Sequence, residues 1–110
     1  MNIADNLEKM LAAGQDSALL RYSLGSAYQK AGDLERARAH LAQAVSQDPS
    51  YSAAWKAYGK VLAALERTEE AVGAFENGIR AAREKGEIQA AKEMQVFLKR
   101  ASRNAGLKPK

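Results

Sequence analysis

A chain of 110 residues, 46% of them hydrophobic, has room for one packed domain and argues against wholesale disorder. It has no cysteine, which excludes disulfides and thiolate metal sites, and no run of β-branched residues alternating with polar ones, which argues against a sheet. The net charge of +4 is unevenly spread: from Arg80 onward nine cations face three carboxylates, leaving +6 there and −2 in the rest of the chain.

The punctuation of the chain predicts a series of helices. A short one runs from about Ile3 to Ala13 and stops at Gly14. Asp16 and Ser17 then offer caps for a helix that reaches about Ala31, where Gly32-Asp33 breaks it. Asp33 caps the next, from Leu34 to about Gln47, which Asp48-Pro49 closes. Ser50 or Ser52 opens another, ending near Leu65, and Thr68 opens one that runs to about Lys85 with Gly86 as its stop. The last spans roughly Glu87 to Arg103, ahead of Asn104, Gly106 and Pro109. Each segment carries one apolar stripe, as Leu34, Ala37, Leu41, Ala44 and Val45 illustrate, so each must lie against neighbours. The short connections force consecutive helices into antiparallel pairs. The first seven residues lack a basic start followed by an apolar run, so no secretory signal is expected there, no segment suits a membrane span, and a cytoplasmic location is the default.

A shift of 34 residues superimposes the chain on itself. It pairs Leu24-Gly25 with Tyr58-Gly59, Tyr28 with Leu62, Ala37 with Ala71, Leu41 with Phe75, Ala44 with Gly78 and Val45 with Ile79. Glycine inside a helix costs about 1 kcal/mol relative to alanine, so its recurrence at one phase implies that something packs onto the backbone there. Leu24-Gly25, Tyr28, Ala37, Leu41, Ala44 and Pro49, repeated as Trp55, Tyr58-Gly59, Leu62, Ala71, Phe75 and Gly78, resemble the tetratricopeptide repeat (TPR) pattern. The resemblance covers two full repeats, 18–51 and 52–85, flanked by an N-terminal helix within 1–15, a capping helix within 86–104 and a tail over 105–110. It implies an all-α fold of about six helices, a right-handed superhelical array of antiparallel pairs in a single domain. Three positions depart from it. Arg21 stands where the first repeat should match Trp55, Glu66 replaces the turn residue Gly32, and Arg83 replaces the closing proline, so the helix from Thr68 should overrun. If the turn geometry is kept, Glu66 must adopt positive φ. Two pairs with a helix at each end equal three repeats, enough for a monomer, with a weak homodimer as the alternative.

The resemblance also implies protein–protein interaction through a concave groove lined by the first helix of each pair. Tyr22, Ser26 and Gln29 fall on that face in the first repeat, and Lys56 with Lys60, one turn apart, in the second. The two ammonium groups would favour an acidic peptide, while a plain solvated face is the alternative reading. A carboxylate clamp known in some family members is absent, since its positions here hold Tyr22, Ser26, Ala57, Glu87 and Ala91. Trp55, Phe75 and Phe97 read as packing residues. A second function class, nucleic-acid association through Lys92, Lys99 and Arg103 of the last helix, is disfavoured because no aromatic residues interleave those charges. Catalysis lacks its parts: His40 is the only histidine and is expected in water, and there is no glycine-rich phosphate loop. No enzyme activity, cofactor or metal is therefore expected. Ile88, Met94 and Leu98 are expected to be buried, making the last helix a cap.

Overall fold

The computed structural model describes residues 2–106; Leu107, Lys108, Pro109 and Lys110 of the expected tail lie outside the described residues. Among the described residues there are six helices and no strand: α1 (Ile3–Ala12), α2 (Ala18–Lys30), α3 (Leu34–Gln47), α4 (Ser52–Ala64), α5 (Thr68–Glu84) and α6 (Ile88–Asn104). None of these helices is long and apolar enough to cross a membrane. The pairs α2–α3 and α4–α5 stack side by side, with α1 against α2 and α6 against α5.

The first three helices are capped by side chains. Asn2, Ser17 and Asp33 accept from the backbone N–H of Asp5, Leu20 and Arg36. Asp16 does not share the capping of α2, because its carboxylate is taken by Arg21 and Gln47. The later helices depart from the expected openings. Tyr51 and Arg67 occupy the cap positions without a side-chain cap bond, and Ser52 and Thr68 are the first helical residues. The Ser50 hydroxyl is bound to the Asp48 carboxylate at 2.6 Å, and that of Ser52 to the Glu87 carboxylate, so neither is free to cap α4.

Helices α1, α2, α4 and α5 end alike. In each, the residue after the cap bonds back to the second-last helical carbonyl and the next residue to the third-last, as in Gly32 to Gln29 (3.1 Å) and Asp33 to Tyr28 (2.9 Å). The first of these two residues needs positive φ. Glycine supplies it at Gly14, Gly32 and Gly86, and Glu66 adopts it at φ +61°, with the same two bonds, Glu66 to Ala63 and Arg67 to Leu62. The turn geometry is therefore kept at the one turn where the residue type does not favour it.

Gly25 and Gly59, at the same phase of α2 and α4, are seats for the partner helix. A Cβ on Gly25 would lie 2.4 Å from Leu41 Cγ, and one on Gly59 would lie 2.5 Å from the Phe75 ring. Gly78 does the same for Met94 and Trp55. These contacts join a core of Leu24, Leu41, Val61, Leu62, Phe75 and Met94, all but fully buried. Helix α5 has 17 residues against 14 in α3, the expected overrun. Helix α6 buries Ala91, Met94 and Ala101, with Leu98 half-buried. Ile88 corrects the expected cap face: it is 57% exposed, because as the first residue of α6 it precedes the buried stripe that begins at Ala91.

Candidate binding groove

Helices α2, α4 and α6 turn one face each toward a shared open depression of about 410 Å³. Helical spacing decides who lines it. Tyr22, Ser26 and Gln29 follow one another at four and three residues on α2, and Lys56 and Lys60 at four on α4, so each set forms a single stripe. All five residues expected on the face lie along this depression. Ser52 and Ala53 join them from α4, and Glu87, Ala90 and Met94 from the α6 side.

Their partners refine the chemistry. Tyr22 tilts against Tyr51 with ring centroids 5.1 Å apart, so its ring is steadied from the α3–α4 connection. Ser26 and Gln29 have no side-chain hydrogen bond among the described residues and present open donors and acceptors. Lys56 is not a free ammonium: its Nζ lies 3.3 Å from the Glu93 carboxylate of α6. Lys60 Nζ sits 5.3 Å above the Phe97 ring, a cation–π placement that leaves the charge exposed. The groove is thus mixed in charge, with Lys60 as its one cation lacking a carboxylate partner among the described residues.

Other singled-out residues lie elsewhere. Trp55 donates from Nε1 to the Pro49 carbonyl at 2.8 Å and packs against Tyr58, and Phe75 stacks on Phe97 at 5.7 Å, all packing roles. Lys92, Lys99 and Arg103 are exposed on α6, and the exposed Val96 lies between Lys92 and Lys99.

His40 overturns its expectation of a solvated ring. Its side chain is 14% exposed, stacked on Tyr28 at 5.6 Å, with Nδ1 3.2 Å from Arg21 Nη1 and Nε2 3.5 Å from the Glu8 carboxylate. A guanidinium donates only, so Nδ1 accepts and the ring proton belongs on Nε2, facing Glu8. Arg21 in turn makes two bonds, 2.8 and 2.9 Å, to Asp16, to which Gln47 also donates. Those hydrogen bonds, Arg21 first and Gln47 second, hold the Asp16 carboxyl far below the usual carboxylate range. Burial lowers the His40 pKa, against an opposing pull from Glu8. The signal in the sequence was Arg21 at the place of a packing residue; what it lacked was any regular spacing to link Arg21 with His40.

Antiparallel helix pairs repeated at 34 residues, with an open face along their first helices, define a helical-repeat scaffold. A tetratricopeptide repeat family model matches residues 22–87. A TPR repeat-containing protein of Pseudomonas aeruginosa is 50% identical over 99 residues, covering 90% of this chain and 94% of its own. The solution structure of a Bordetella parapertussis protein, 43% identical, matches with a TM-score of 0.78 over 94% of this chain and 90% of that one. That of a tetratricopeptide repeat domain protein from Salinibacter ruber, 28% identical, matches at 0.77 over 86% and 95%. The chain belongs to the tetratricopeptide repeat family. Proteins of this family are in general non-enzymatic scaffolds for protein–protein interaction. The nucleic-acid reading of α6 draws no support from these relatives.

Proposed function

We propose that the chain binds an extended segment of a partner protein in the groove between α2, α4 and α6, using Tyr22, Ser26, Gln29, Lys56 and Lys60. One observation carries the reading: five side chains from two helices, chosen by repeat phase, line a single open depression. Tyr22 offers a flat apolar surface steadied by Tyr51. Ser26 and Gln29 are free to bond a peptide backbone, which an extended segment leaves unpaired. Lys60 adds a preference for negative charge, and Lys56 joins only if the peptide competes with Glu93.

A photo-crosslinking residue at Ala53, exposed and inside the groove, is compared with one at Glu76, exposed on the α5–α6 side. In cells of the source organism, the Ala53 position should form a discrete protein adduct that the Glu76 position does not. Adducts formed only from Glu76 would move the interaction to the convex side and end the groove reading.

A further inference from the structure

Beyond Lys60 a second, smaller depression of about 240 Å³ opens between α4 and α6. Its floor is apolar: Ala63, Ala101 and the stacked rings of Phe75 and Phe97. Its rim carries two cations, Lys60 and Arg100, and the amide of Asn104, and among the described residues no carboxylate lines it. Among the described residues neither Lys60 nor Arg100 takes part in an ion pair. Lys60 lines both depressions, so a chain lying in the first reaches the second without leaving the protein surface.

An apolar floor under a cationic rim selects its occupant by chemistry. An apolar side chain removes the half-buried Phe97 and Ala63 from water, and a carboxylate meets the rim, whose charges have no carboxylate partner among the described residues. A bare phosphate would leave the aromatic floor uncovered. The last four residues of this chain carry Lys108 and Lys110, the same sign as the rim. We infer that this depression takes an apolar side chain together with a neighbouring Asp or Glu of the bound segment, the apolar group against Phe97 and Ala63 and the carboxylate between Lys60 and Arg100. The inference rests on the groove reading and adds the chemistry of the partner. None of its residues occupies the family clamp positions Tyr22, Ser26, Ala57, Glu87 and Ala91.

The test is selection from a displayed library of random peptides with the full chain and with a Lys60→Glu, Arg100→Glu variant. Both residues are exposed, so the variant should keep the helicity and melting curve of the parent. Peptides enriched by the parent should share an apolar residue with Asp or Glu within two positions, and the variant should lose the acidic preference. A peptide from the enriched set, synthesised in Glu and Gln forms, should bind the parent roughly three- to tenfold more tightly as Glu, as one or two exposed ion pairs allow. The variant should not distinguish the two forms. Enrichment without acidic residues, or the same preference in the variant, overturns this site and leaves the groove standing. No enrichment by the parent sinks both. A concentration-dependent dimer in light scattering that the variant loses would assign the depression to a second copy instead.

Discussion

In the α2–α3 pair the phase occupied by Trp55 in α4 holds Arg21, which reaches His40 and Asp16. In the α4–α5 pair Trp55 packs against Tyr58, and the residue matching His40 is Ala74, buried. Beside its seam the first pair places charge, hydrogen bonds and the His40 ring stacked on Tyr28; the second places Trp55 and a buried alanine. What the pairs share is narrower: a glycine that receives Leu41 in one and Phe75 in the other, and a turn closed by the same two backbone bonds. The comparison teaches that the close approach of the helices and the turn set the architecture. The flanking space accepts either chemistry, provided polar groups placed there find partners.

The largest effect should come from filling the seats. Overpacking costs about 1–3 kcal/mol, which outweighs the ~1 kcal/mol by which alanine surpasses glycine in a helix. Gly25→Ala and Gly59→Ala should therefore both destabilise in urea melts, whereas Gly73→Ala, with open space at its Cβ, should stabilise by about 0.5–1 kcal/mol. If all three stabilise alike, the seats are not what the two pairs have in common.

A smaller effect separates the turns. Glu66 holds positive φ at a cost of about 1 kcal/mol relative to glycine, so Glu66→Gly should stabilise by up to that amount, less the greater freedom of glycine in the unfolded chain. Gly32→Glu should destabilise the first turn by about 1 kcal/mol. Loss of stability on Glu66→Gly would show that the two turns differ after all.

The smallest effect is a pH slope confined to the polar pair. Burial holds the His40 pKa below its ordinary 6.5, so the unfolded chain takes up the proton first as pH falls. Stability should then decline as pH drops through about 6.5 toward the folded value, below which the loss is complete. The groups facing His40 are Glu8 on α1, Arg21 and Tyr28 on α2, Arg36 on α3 and Asp16 before α2. The Asp16 contribution is present above 3.8 and is lost only at lower pH, whereas that of His40 begins to fall at about 6.5. His40→Gln, which can still accept from Arg21, should flatten the upper window in melts between pH 7 and 5. An unchanged slope would assign it to another group.

The helices and their pairing were legible in the sequence, as was the helical phase that puts Tyr22, Ser26, Gln29, Lys56 and Lys60 along one depression. The positive φ of Glu66 was legible only on the condition that the turn is kept. Each follows from a local rule: caps and breakers mark ends, a 34-residue period sets register, and a 3.6-residue period sets faces. Tertiary structure alone decided which polar groups meet. Arg21 and His40 are 19 residues apart, Lys56 and Glu93 are 37, and neither separation belongs to the repeat. Lys60, Phe97 and Arg100 come together only where α6 packs beside α4. Periodicity constrains where a side chain points on its own helix. The distance between two side chains on different helices depends on how far the helices approach and slide, and that is settled by packing across the whole array.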